Sequence, residues 1–189
     1  MNEVPQARQF LVVVDDTPEC RKALRFAWRR AQRTGAGVTL LRVIDPVDFQ
    51  HWLAVEERMR EEAREEAETL LKSLAAEVQQ QSEILPELVV REGPISDVVM
   101  KLIDEDATIR ILVLGAGTGS DGPGPLVSQL AGKISGAMRV PVTVVPGNLS
   151  DDQLDLLTEA PSHKKSCGQL ERVRLVGAHM RFQDRLLTR

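Results

Sequence analysis

Five short apolar runs, separated by stretches with helical spacing, constrain this chain more than any other feature. They are Gln9 to Val14 (QFLVVV), Val38 to Ile44 (VTLLRVI), Leu88 to Val90, Ile109 to Leu114 (IRILVL) and Val140 to Val145 (VPVTVV). Continuous apolar runs of this length read as strands buried on both faces. Strands that alternate with helices predict an α/β fold: a five-stranded parallel sheet with helices on both faces and right-handed crossovers.

The helices have legible ends. Thr17-Pro18 supplies an N-cap and a proline at the first helical position, and Gly35 stops the helix. Its apolar stripe is Leu24, Ala27, Trp28 and Ala31. A long helix from Glu56 to about Gln81 carries Met59, Ala63, Ala67, Leu70, Leu71, Leu74 and Val78 on one stripe. Its Glu and Arg run reads as a solvated face with i,i+4 pairs. Gly93-Pro94 leads into a helix with Ile95, Val98, Val99, Leu102 and Ile103, and Leu126, Leu130, Ile134 and Met138 mark another.

Ligands of parallel sheets sit beyond the carboxyl ends of the strands. Two features fall there, Asp15-Asp16 and the glycine-rich segment from Gly115 to Pro125. Glycines allow positive φ and let backbone N–H groups approach a phosphate, although a plain surface loop has the same composition. Gly117 to Gly122 satisfies GxGxxG, but two prolines delay the next helix and the following strand ends in Val145-Pro146. Gly132-Lys133-Ile134 lacks the residues of a P-loop. Neither motif holds.

No catalytic constellation is present. His51, His163 and His179 are scattered, and neither HExxH nor GxSxG occurs. Cys20 lies in a helix first turn without a histidine placed to activate it, and reads as structural. Asp15 and Asp16 suit Mg²⁺ carried by a phosphate ligand, or serve as polar stops after a strand.

With 189 residues, 42% of them hydrophobic and 28% charged, the chain is the size of one globular domain. Its apolar runs fall short of the ~20 residues that cross a bilayer, and its charged start is not a secretory signal. Cys20 and Cys167 form no CxxC pair, so the expected setting is the reducing cytoplasm. Aromatics are 3%, too few for stacking platforms on single-stranded nucleic acid. Up to Ala160 the chain has 17 basic and 26 acidic residues, whereas Pro161 to Arg189 has seven and two. An acidic body of this kind repels nucleic acid and anionic membranes, so neither is an expected partner.

The segments FLVVVDDTPECRKALRFAWRRA, GAGVTLLRVIDP, VVREGPISDVVMKLI and LVLGAG…RVPVTVV together resemble the universal stress protein family. The resemblance spans residues 9 to 147. It implies an adenine-nucleotide alpha-hydrolase-like fold, a regulatory role in stress response and a homodimer formed through the last strand, Val142 to Val145. Many members bind ATP through Gly, two residues, Gly, nine residues, then Gly-Ser or Gly-Thr. This chain keeps the spacing as Gly115, Thr118 and Ser128-Gln129, with the first glycine alone retained. Asp15 and Val43 match the family positions that flank the ribose and adenine. The implied ligand is therefore ATP, with Mg²⁺ accompanying it. The Ser128 hydroxyl would donate to a phosphate. A side chain at 118 or 128 would be strained wherever the backbone there took positive φ.

Two functions stay open on this reading. One is nucleotide binding through Asp15, Val43, Gly115, Thr118, Ser128 and Gln129. The other is a nucleotide-free dimer acting through a protein partner. Enzymatic activity would amount at most to slow ATP hydrolysis, since no base or arginine finger lies near the loop. Residues 1–147 form the expected domain and 148–189 a C-terminal extension, partly helical or disordered. Ser150 before Asp151-Asp152 starts a helix in that extension.

Overall fold

A computed structural model describes residues 8–45, 53–119, 122–133 and 135–159. Five strands, β1 (Gln9–Val13), β2 (Gly37–Ile44), β3 (Glu87–Glu92), β4 (Ile109–Ala116) and β5 (Val142–Pro146), form one parallel sheet in the order β3-β2-β1-β4-β5. The helices are α1 (Pro18–Thr34), α2 (Leu53–Gln81), α3 (Ile95–Glu105), α4 (Pro125–Val127) and α5 (Asp151–Thr158).

Alternate side chains of each strand feed two cores. Phe10, Val12 and Val14 pack with α1, with Leu71, Leu74 and Val78 of α2, and with Leu154 of α5. Leu11, Val13 and Leu41 pack with Val99, Leu102 and Ile103 of α3 and with Val127 and Leu130. Helices α1 and α2 therefore cover one face, while α3 and the segment after α4 cover the other. Strand order reverses between β1 and β4, which makes their carboxyl ends the topological switch point where parallel sheets place ligands.

The caps of α1 are those expected. The Thr17 hydroxyl accepts from the Cys20 N–H at 3.3 Å, and Gly35 closes the helix in the left-handed region at φ 65°. Met59 departs from the expected stripe, being 41% exposed beside buried Ala67, Leu71, Leu74 and Val78. The stripe turns away from the sheet at that end of α2.

A larger difference follows β4. The spacing from Leu126 to Met138 predicts one α-helix. The chain instead forms the single turn α4, a wide i→i+5 turn over Ser128–Lys133, and a 3₁₀ turn over Ser135–Ala137. Gly132 and Gly136 interrupt this segment, and glycine is a poor helix former. Widened turns of this kind recur at functional sites.

The Arg139 guanidinium ties the region down by donating to the carbonyls of Ile103, of Asp106 at 2.6 Å and of Ile109 at 3.3 Å. It thereby satisfies carbonyls at the open end of α3. Phe49, His51 and Trp52, and everything from Ala160 on, including Cys167, His163 and His179, lie outside the described residues.

Candidate functional site

The site begins with strand register. Val13 pairs with Leu41 across β1 and β2, and Val12 with Val113 across β1 and β4. Extending those registers puts Asp15 level with Val43, and Val14 level with Gly115. Asp15, Val43 and Gly115 thus stand at the carboxyl ends of three adjacent strands. Asp15 is held in place: its Oδ1 accepts from the Thr17 N–H at 3.2 Å and from the Thr17 hydroxyl. Val43 is half-buried against the α3-side core, next to Arg91 of β3 in register.

Gly115 belongs to β4 rather than to the loop the sequence assigns it to, and its glycine has a packing cause. A Cβ there would lie 2.5 Å from the Glu19 carbonyl oxygen and 2.9 Å from the Cys20 nitrogen. The first turn of α1 rests directly on the end of β4, leaving no room for a side chain. Gly117 and Gly147 back onto the same residue. The Glu19 carboxylate would stand 3.2 Å from a Gly117 Cβ, and the Glu19 Cβ 2.9 Å from a Gly147 Cβ. Glu19 is therefore a site residue that sequence reasoning missed. Its position in an acid-tolerant first turn has an ordinary explanation in the helix dipole, and no local signal marks it out.

Beyond β4 the loop is open. Gly122 and Gly124 take φ of 84° and 91°, and a Cβ on Gly119, Gly122 or Gly124 would meet nothing within 4 Å. Two backbone bonds shape the loop, Gly117 N–H to Pro123 O at 3.2 Å and Gly122 N–H to Gly119 O at 3.3 Å. The N–H groups of Thr118, Gly119 and Gly124 have no backbone acceptor among the described residues, so they remain available to an anion. Thr118 is exposed. Ser128 has φ −62° and ψ −38°, ordinary right-handed values, so its side chain costs no backbone strain. Its hydroxyl donates to the Gly124 carbonyl at 2.9 Å. Gln129 points to the start of α3, where its Oε1 accepts from the Ser96 hydroxyl at 3.5 Å. The structure thus gathers Asp15, Gly115 and the loop with Thr118 at the switch point. Val43 flanks them one strand away, and Ser128 and Gln129 spend their side chains on local bonds.

On the α2 side of the same strand ends lies a cleft of about 1050 Å³, lined by Asp16, Arg42, Val43, Asp45 and Glu66 among others. The Arg42 guanidinium donates to the Val14 carbonyl at the end of β1, at 3.3 Å. Cys20 is 2% exposed, and burial pushes its thiol up to about 12, which leaves it inert as a nucleophile. Among the described residues no three His, Cys, Asp or Glu side chains are placed to hold a metal, and no helix is long and apolar enough to cross a membrane.

The comparisons with known proteins agree with this architecture. The sequence profile described as the universal stress protein family matches residues 7–146. No curated protein sequence matches the chain. Among solved structures, the universal stress protein UspA from Lactobacillus plantarum superposes with a TM-score of 0.61 at 20% identity, covering 74% of this chain and 98% of that one. A universal stress family protein from Burkholderia pseudomallei gives 0.59 at 18% identity, covering 76% and 99%. The universal stress protein from Archaeoglobus fulgidus in complex with dAMP gives 0.56 at 18% identity, covering 74% and 98%. Sequence profile and sheet topology converge, and this chain belongs to the universal stress protein family.

Proposed function

We propose that this chain is a regulatory module that binds an adenine nucleotide at the carboxyl ends of β1, β2 and β4. The observation that carries the reading is the juxtaposition at the switch point. Asp15 and half-buried Val43 are level on adjacent strands, and the open glycine loop with unpaired N–H groups follows the next strand. The residues suit the parts of a nucleotide. Val43 offers an apolar contact for a base, Asp15 has a second carboxylate oxygen free to accept from ribose hydroxyls, and the loop amides face a phosphate. The dAMP complex of the Archaeoglobus fulgidus relative supports this assignment. ATP with Mg²⁺ is the fullest ligand the arrangement would take. When bound, Mg²⁺ would neutralise phosphate charge, with Asp15 or Asp16 as the nearby carboxylates. The chain's setting is the cytoplasm.

Calorimetric titration of the full chain with AMP tests the proposal. Saturable one-site binding is the expected result, weakened at least tenfold by Asp15→Asn, which keeps an Oδ1 acceptor for Thr17 and removes the charge, since a hydrogen bond to a charged group contributes about 1.5–3 kcal/mol. Absence of binding, or unchanged affinity in the variant, contradicts it.

The module works as a homodimer through β5, which is an edge strand rich in β-branched residues. Leu112 donates to the Pro141 carbonyl at 3.0 Å, so in a parallel ladder the Thr143 N–H points back at β4. The N–H groups of Val142 and Val144 then face the free side, where a second copy can pair.

A further inference from the structure

Resting on the nucleotide reading above, we infer that the site selects against phosphate charge: it takes a monophosphate readily and takes ATP only when a divalent cation accompanies it. The inference comes from the charges around the loop. Residues 115–132 contain no lysine or arginine, and the first cation after them, Lys133, comes at the end of the wide turn. Three carboxylates stand at the other wall, all within five residues. Asp15 is half-buried at the end of β1, Asp16 is exposed, and Glu19 lies against Gly117, where the loop leaves the sheet.

The cations of the neighbouring elements are engaged elsewhere. Lys22 is 2.7 Å from Asp151, Arg25 and Arg29 are 3.1 and 2.9 Å from Asp155, and Arg21 is 3.2 Å from Glu77. Arg139 caps α3, and Arg42 is the exception, its guanidinium bonded at 3.3 Å to the carbonyl of Val14 next to Asp15. Arg91 is next to Val43 but on β3, three strands from β4, about 14 Å at the usual strand spacing. Loop amides can hold one phosphate without a cation. Each further phosphate adds negative charge facing Asp15, Asp16 and Glu19, and among the described residues the cations there are fewer than the carboxylates, with Arg42 at the Val14 carbonyl. A divalent cation carried by the nucleotide would reduce that penalty by neutralising phosphate charge.

The test is a set of calorimetric titrations of the full chain with adenosine, AMP, ADP and ATP, first in EDTA and then in Mg²⁺. In EDTA the expected order is AMP tighter than ADP and ADP tighter than ATP, with ATP at least about tenfold weaker than AMP, repulsion of the size expected near a protein surface. Mg²⁺ should bring ATP to within about threefold of AMP, the counter-ion having replaced the missing cation. Raising salt in EDTA should tighten ATP binding, because screening weakens a repulsion. A site built on lysines or arginines would show the opposite sign. Glu19→Gln, and separately Asp16→Asn, should each improve ATP binding in EDTA severalfold more than AMP binding. ATP binding as tightly as AMP in EDTA, or binding that weakens with salt, overturns the inference and leaves the nucleotide reading intact. Failure of both adenosine and AMP to bind overturns the nucleotide reading, and this inference with it.

Discussion

Gly115 shows how one residue serves the fold before it serves a ligand. Family spacing marks it as a phosphate-loop glycine, yet its Cα is pinned beneath the first turn of α1, with the Glu19 carbonyl 2.5 Å from any added Cβ. Because that contact is with backbone, Gly115→Ala forces helix and strand apart. We expect a loss of about 1–3 kcal/mol, the usual cost of overpacking, measured by urea denaturation without nucleotide. An unchanged midpoint would mean that α1 is not seated as described. The sequence gives Gly115 a place in a phosphate loop but no packing cause, since the atom it avoids belongs to a helix about a hundred residues earlier. Ser128 is the converse. Spacing places it on a glycine position, but its right-handed backbone accepts a side chain without strain.

At the scale of elements, α5 illustrates a helix legible by its cap and held by contacts the sequence does not reveal. Ser150 and Gln153 form a reciprocal capping box, as the Ser-Asp-Asp start suggests. Docking on α1 depends on Leu154, fully buried in the α1-side core, and on Asp151 and Asp155 paired with Lys22, Arg25 and Arg29. Leu154→Ala should cost about 2–5 kcal/mol in denaturant unfolding. A cost near zero would show that α5 detaches freely in solution. The Lys22 hydrogen bond holds Asp151 below its usual carboxylate value of 3.8. Its contribution is therefore complete above that value and is lost as pH falls through the lowered one. It is small, because the side chain is more than half exposed. Strands were the most legible elements, since each apolar run forms one, although the edge strand β3 is not buried on both faces as expected: Leu88 is 40% exposed and Val89 and Val90 are half-buried. The segment after α4 was the least, because an apolar stripe at helical spacing does not distinguish an α-helix from a wide turn followed by a 3₁₀ turn.

For the whole molecule, the alternation of strands and helices was enough to anticipate a parallel sheet, while the strand order that creates the switch point had to come from the structure. If copies pair through β5 as proposed, Val144→Pro removes an outward-facing N–H and should yield monomers in light scattering, with the β4 ladder kept. A dimer that survives this change is built on another surface. Two openings lie on the same strand ends, the glycine loop after β4 and the α2-side cleft, and the proposed nucleotide sits at the first. Backbone amide NMR of the full chain during an AMP titration tests this placement most directly. The expected shifts cluster at Asp15, Val43 and residues 115–119, while Glu66, Thr69 and Ser73 in the α2-side cleft stay still. Shifts confined to that cleft, or none at saturating AMP, would contradict the account.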